Sequence, residues 1–217
     1  MTSATALLLL GPPASGKGTI ARYLMDHYPG TGVFSASTEL SRASVDSDTK
    51  ELIDHCLASG QLVPDETVLG ILLPRLVAAA GEKNLVILDG FPRTLGQARA
   101  LDAESLQVAL PRIFLAAELE LNRETIVERT ASRGQCPHCG SSDDLKARVC
   151  RLCGGELQAR LDDVGPLVRA RIDQHEASVP PVREYYRERG LHEVYDARGG
   201  SMAIARELLA RLQENRR

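Results

Sequence analysis

Apolar residues along this chain come in short runs separated by longer, mixed stretches. Leu7–Leu10 is apolar at every position, as expected of a parallel strand buried on both faces. "GVF" at 32–34, "LVILD" at 85–89, "RIFLA" at 112–116 and "HEVYD" at 192–196 supply four more strands. The stretches between them predict helices. One runs from Gly16 to about His27, and another covers residues 120–133. Residues 37–80 read as several short helices, broken near Gly60 and Pro64. Asp163 is placed to cap a helix reaching about Ser178, with Pro166 tolerated in its first turn. A separate helix follows Pro181 and ends near Gly190, and the last spans 201–215. Strand–helix alternation of this kind implies an α/β sheet wound with helices on both faces. No internal repeat or low-complexity linker interrupts it.

Composition narrows the classes. The chain has 217 residues, 25% charged and 43% hydrophobic, with a net charge of −3. That is the balance of a globular protein large enough for a substantial core. A slightly acidic chain is a poor candidate for a protein built mainly to hold nucleic acid, which needs a basic surface. The apolar run Ala6–Leu10 is too short to span a membrane. It lacks the basic leader and cleavage-like end of a signal peptide, so a cytoplasmic location is expected. Disulfides are then not expected, and paired cysteines read as metal ligands.

Two segments carry phosphate chemistry. "GPPASGKGT", residues 11–19, matches GxxxxGK, follows an apolar strand and opens a helix, which is the context this phosphate-binding motif requires. Backbone N–H groups of Ala14, Ser15, Gly16 and Gly18 and the helix N-terminus favour an anion. Lys17 reaches the β- and γ-phosphates. Thr19 stands one place beyond the usual hydroxyl position, and Ala14 where a third glycine often occurs. The second segment, "LVILDGFPR", ends its strand in Asp89, at the edge where α/β sheets bind ligands. Asp89 is suited to orient Mg²⁺, directly or through water. Gly90 follows it instead of the carboxylate that would position attacking water, which favours a kinase over a hydrolase.

Four of the five cysteines form CxxC–x10–CxxC: Cys136, Cys139, Cys150 and Cys153. Four thiolates suit tetrahedral Zn²⁺ in a closed, structural site. His138 reads as a turn residue, and Cys56 as a small buried hydrophobe. Between the outer cysteines stand one Lys, two Arg and two Asp, with no aromatic residue to stack on a base. That is a poor nucleic-acid face.

"GPPASGKGT", "SGQLVPDE", "LDGFPRTLGQA", "RTASR" and "RLDD…VRARI" occur in an order and spacing that resemble the adenylate kinases, over nearly the whole chain. The resemblance implies a doubly wound, five-stranded parallel sheet of the P-loop NTPase type. It divides the chain into a core (1–34, 65–132, 164–217), a helical monophosphate-binding insertion (35–64) and a zinc-ribbon lid (133–163). It implies ATP + AMP ⇌ 2 ADP with Mg²⁺, structural Zn²⁺, ATP, AMP and ADP as the only partners, and a monomer. Arg42 and Arg93 would hold the AMP phosphate. Arg133, Arg160 and Arg171 would converge on the phosphates when the lid shuts, the last two also serving AMP. Arg129, four residues before Arg133 on the same helical face, would lie over the ATP base, with Gly199 also at ATP. Arg148, Arg151 and Arg187 read as solvated surface charges.

On the monophosphate side, the resemblance places Ser37, Gln61, Leu62, Val63, Gly90, Phe91, Pro92 and Gln97 against AMP. Where family members often carry "STGDxLR", this chain has "ASTELSR". Ser37 keeps a hydroxyl, whereas Thr38 removes glycine's freedom at a bend. Gln97 would read the adenine edge, since an amide donates and accepts at once. The ten-residue cysteine gap is shorter than expected of such a lid. Three alternatives stay open: another or broader monophosphate acceptor, a P-loop ATPase carrying a nucleic-acid zinc ribbon, and a non-catalytic nucleotide-binding regulator.

Overall fold

In chain order the elements are β1 (Thr5–Leu10), α1 (Lys17–His27), β2 (Thr31–Ser35), α2 (Ala36–Ser41), α3 (Ser47–Ser59), α4 (Asp65–Ala80), β3 (Leu85–Asp89) and α5 (Leu95–Gln107). There follow β4 (Arg112–Glu120), α6 (Arg123–Ala131), β5 (Arg133–Gln135), β6 (Ser142–Asp144), β7 (Gln158–Ala159), α7 (Gly165–Arg187), β8 (His192–Asp196) and α8 (Ser201–Glu214). This computed structural model describes residues 4–81, 83–107, 110–138, 142–151, 153–160, 163 and 165–215.

The all-apolar reading of β1 has a simple structural basis. Ala6, Leu8 and Leu10 face one layer, with Phe34, Leu72, Leu76 and Tyr186. Leu7 and Leu9 face the other, with Ile20, Leu24, Ile204 and Leu208. Helices therefore cover both faces, and a polar residue in the middle of β1 would be buried whichever way it pointed. Each of these leucines contributes about 2 kcal/mol by burial. The sheet has five parallel strands in the order β2-β3-β1-β4-β8. Its register aligns Leu9 with Asp89, Leu10 with Glu118 and Ser35 with Asp89. The carboxyl ends of β1, β2, β3 and β4 thus meet at one edge, and the 11–16 loop leaves β1 at that edge.

Several boundaries differ from the sequence reading. β4 continues to Glu120, so the helix expected from 120 begins at Arg123 and stops at Ala131. α5 follows "LDGFPRT" and was not assigned from the apolar pattern. The two helices expected on either side of Pro181 are one, α7, which runs through Pro180 and Pro181. A proline inside a helix costs about 3 kcal/mol through its lost N–H and ring clash. Both prolines are exposed, and Val179, Val182, Tyr185 and Tyr186 bury the opposite side of the same turns. Tertiary packing there outweighs the local preference. The Asp163 carboxylate binds arginines at the cavity, as described below.

The cysteine-rich segment forms its own small antiparallel sheet, in the order β6-β5-β7. Cys136, Cys150 and Leu157 make a separate cluster, with Leu145 against it. No helix among the described residues is long and apolar enough to cross a membrane.

One buried charge ties β4, α7 and β8 together. Glu118 is only 2% exposed. Arg183 donates to both its oxygens, at 2.7 and 2.5 Å, and His192 Nε2 lies 2.8 Å from Oε2. Burial pushes the carboxyl up, but the Arg183 and His192 hydrogen bonds outweigh it and hold it below the usual range. Removing Glu118 leaves the buried His192 ring and the Arg183 side chain, 40% exposed, without their acceptor and opens a gap at a buried position, together costing about 3 kcal/mol. Glu118→Ala should therefore lower the thermal midpoint by on the order of 10 °C near pH 7. A folded-state value below the unfolded one places this stabilisation above the carboxylate range, and it is lost as pH falls through the lowered value. The melting gap between wild type and variant should shrink correspondingly in acid. A gap that persists unchanged there would contradict the assignment.

Candidate active site

The sheet edge opens into a cavity of about 1050 Å³. Its floor is the 11–19 loop: Ala14, Ser15, Gly16, Lys17, Gly18 and Thr19 all line it. Gly16 has φ 96°, and a Cβ there would sit 2.6 Å from Ser201 Cβ. The loop is therefore packed directly against the start of α8. Ala14 holds φ 57°. A left-handed alanine is strained by roughly 1–2 kcal/mol, which agrees with the expectation that this loop is less permissive than one with glycine there. Lys17 Nζ donates to Gly11 O at 2.8 Å and Pro12 O at 2.9 Å. Burial lowers its ammonium to about 8; Asp89 opposes this, while Arg93, Arg171 and Arg133 add to it.

Asp89, Gly90, Pro92 and Arg93 form the wall beside the loop. Gly90 has φ 78°, and a Cβ there would lie 2.9 Å from Arg93 Nη2. Only glycine lets the guanidinium fold back, where Arg93 Nε donates to Gly90 O at 2.9 Å. Arg93 is open to cavity water but ringed by protein. That enclosure and Arg171 lower its proton affinity, while Asp89 raises it.

α5 supplies a network that periodicity does not reveal. Arg93 N donates to Gln97 Oε1 at 2.8 Å. Gln97 Nε2 donates to Asp65 Oδ1 at 2.8 Å, and Thr94 Oγ1 to Asp65 Oδ2 at 2.6 Å. Gln97 is buried in this network and does not line the cavity, because its amide fixes the Arg93 backbone to the start of α4. Asp65 went unnoticed in the sequence; the "VPDE" signal was present, but its partner lies 32 residues away. Phe91 and Val63 belong to the core, Leu62 is half-buried, and Arg42 and Gln61 are exposed outside the cavity wall. Ser37 and Thr38 do line it. Thr38 lies within α2 with no positive φ, so the bend that would need glycine is absent here. Glu39 accepts from Arg75 Nε at 2.8 Å, joining α2 to α4.

The opposite wall carries Arg129, Arg133, Arg160 and Arg171. Arg129 and Arg133 do not share a helical face, because α6 ends at Ala131 and Arg133 opens β5. Arg129 donates to Ala197 O at 3.0 Å, Arg198 O at 3.3 Å and Ala14 O at 3.5 Å. It clamps the phosphate loop to the turn that ends at Gly199, which itself lies off the cavity. Arg133 makes a two-point pair with Asp163, at 2.7 and 2.5 Å, and Arg171 Nη1 lies 3.9 Å from the same carboxylate. Asp163 is only 5% exposed at its side chain, so it serves as a buried anchor for arginines. Arg151, read as a surface charge, is 76% exposed but stands at the cavity rim beside Asp143.

In the cysteine-rich segment, the sulfurs of Cys136, Cys150 and Cys153 lie within 4.8 Å of one another, and Cys136 and Cys153 are 3.4 Å apart. A Cβ on Gly155 would press on both of those sulfurs, at 3.1 and 3.4 Å. Three converging thiols with a glycine-lined approach fit a tetrahedral thiolate site. Cys139, the expected fourth ligand, lies outside the described residues. His138 lies in a turn and does not join the cluster, and Cys56 is buried in α3.

Residues 9–191 match the family model described as adenylate kinase. The chain is 38% identical to an adenylate kinase of Methanosarcina acetivorans over 194 residues, covering 85% of this chain and 87% of that one. It is 38% identical to one of Archaeoglobus fulgidus over 206 residues (89% and 90%). It is 36% identical to one of Trichlorobacter lovleyi over 220 aligned positions (96% and 99%). Fold, phosphate loop and relatives agree: the chain belongs to the adenylate kinase family and is a phosphotransferase.

Proposed function

We propose that this enzyme transfers the γ-phosphoryl group of ATP to AMP by positioning and charge stabilisation, without a general base. An oxygen of the AMP phosphate attacks the γ-phosphorus, and the bond to the bridging oxygen of the leaving ADP breaks, so two ADP result. The acceptor oxygen is already ionised near neutral pH, so no proton must be removed. The task is to hold two polyanions in line and spread the charge on the moving group. The observation that carries this reading is the convergence of Lys17, Arg93, Arg133, Arg160 and Arg171 on one cavity above the phosphate loop.

Lys17 and the loop amides of 14–19 take the ATP phosphates, with Arg129 and Gly199 on the base side. Arg93 holds the AMP phosphate with Arg42, while Arg160 and Arg171 bridge toward the transferring group. Ser37, Gln61, Leu62, Val63, Gly90, Phe91 and Pro92 shape the AMP side, and Gln97 acts there by fixing Arg93. Asp89 would help hold the Mg²⁺ that accompanies ATP, which would supply positive charge to the phosphates. The insertion at 35–64 and the lid at 133–163 close on the core at 1–34, 65–132 and 164–217 to exclude water. Cys136, Cys139, Cys150 and Cys153 hold a structural zinc. The proposal extends to a cytoplasmic monomer with nucleotide partners only.

A broader monophosphate choice is the second reading. It is favoured by Gln97 committing its amide to Arg93 and Asp65. ADP formation from ATP with each of AMP, GMP, CMP and UMP separates the readings. AMP should be the best acceptor, and ADP formed with no acceptor would point to an ATPase.

In that assay, Arg93→Ala should lose at least about 100-fold in activity, the scale of a lost transition-state clamp. Near-normal turnover would refute its role. For Lys17, the free side chain titrates near 8 and bound phosphates hold its proton on. ATP binding should therefore take up a proton above pH 8. Its affinity should fall there by up to about tenfold per pH unit; a flat profile from pH 7 to 9.5 would rule this out. Zinc of this kind supplies on the order of 10 kcal/mol to a segment with little core of its own. Verified metal removal should thus lower the lid's melting transition and leave the phosphate loop folded, and an unchanged melting curve would contradict it.

A further inference from the structure

One titratable group at the cavity wall has no part in the roles above. His175 lies on α7 one helical turn beyond Arg171, and both line the cavity with Gln174 and Ser178. It is partly buried, and no hydrogen-bond partner for its ring occurs among the described residues. A half-buried imidazole without a partner, facing a cavity built for phosphates, has donors to offer and nothing yet to receive them.

The charges around it explain its state. The phosphate loop presents Lys17, the loop after β3 presents Arg93, β4 presents Glu118, and α7 itself carries Arg183. Burial and these cations lower the imidazole to about 4, with Glu118 opposing. Glu118 cannot pair with it fully, because Arg183 and His192 already occupy its oxygens. In the nucleotide-free cavity His175 is therefore neutral. Bound nucleotides reverse the local sign. One negative charge brought within about 5 Å, at intermediate dielectric, raises proton affinity by roughly a hundredfold or more. That restores the ring to its ordinary titration range, near 6.5.

We propose that His175 is an additional substrate-positioning residue of this site, one that binds the nucleotide phosphates as imidazolium and so links their affinity to pH. The inference rests on the kinase reading above. It differs from the arginines in kind: they are charged at every relevant pH, whereas His175 is charged only when phosphate is present. Its contribution is greatest in mild acid and fades as pH rises.

The test compares wild type with His175→Gln, which keeps size and polarity but cannot become a cation. KM for AMP and ATP is measured at pH 6 and 8.5, with melting curves to establish folding. The KM ratio of variant to wild type should be about three to ten at pH 6 and approach one at pH 8.5, by simple one-proton linkage. The effect should fall on KM more than on kcat. Ionisation of the nucleotide phosphate is common to both proteins and cancels in the ratio. A ratio that does not depend on pH overturns the proposal. Should the variant not fold, wild type serves alone: the His175 ring is followed by NMR through a pH titration, free and saturated with ADP. Its midpoint should rise by at least about one pH unit with ADP; an unmoved or lowered midpoint overturns the inference. If ADP does not bind at all, the kinase reading fails first, and the two failures are thereby told apart.

Discussion

Mutual repulsion among Lys17, Arg93, Arg133 and Arg171 is the constraint around which this molecule is arranged. Like charges so close to one cavity oppose folding unless something offsets them. The offsets are specific. Loop carbonyls hold Lys17, Gly90 O holds Arg93, and the buried carboxylate of Asp163 holds Arg133 with Arg171 nearby. Asp89 sits among them at the end of β3. Burial first, and the cationic neighbours after it, still lower the proton affinities of Lys17 and Arg93 against the pull of Asp89. The remaining positive potential faces the cavity, so the feature that burdens the fold is the one that suits the cavity to a polyanion.

The sheet makes this arrangement possible because its interior needs no help from the site. Both faces of β1 are sealed by apolar layers, and the strand register brings Asp89 and the phosphate loop to one edge. Rigid strands can then carry charged ends that contribute little to stability themselves. Ala14 shows the local cost: a left-handed alanine is tolerated where the loop is fixed on one side by Arg129 and on the other by α8.

Much of the core was legible in the sequence, because burial on both faces leaves an all-apolar signature that Leu7–Leu10 and Leu85–Leu88 display plainly. The phosphate loop was legible because its chemistry is contiguous. What escaped depends on residues far apart in the chain. Asp65 finds Gln97, Asp163 finds Arg133, and Glu118 finds Arg183, over separations of 30 to 65 residues. Nothing in local periodicity marks such pairs. α7 escaped for a related reason: proline signals a break locally, while Val182 and Tyr186 continue the helix by packing at a distance.

The pair of Arg133 and Asp163 has a further meaning for the short cysteine-rich segment. These residues stand at the two ends of the cysteine-rich insertion, so a side-chain contact already closes that segment into a loop at its base. Length can change between Arg133 and Arg160 while the contact with Asp163 keeps Arg133 at the cavity. The ten-residue spacing between the cysteine pairs sits well inside this closed segment, away from the Arg133–Asp163 contact. The length of the cysteine-rich segment becomes a variable separable from the contact that closes its base.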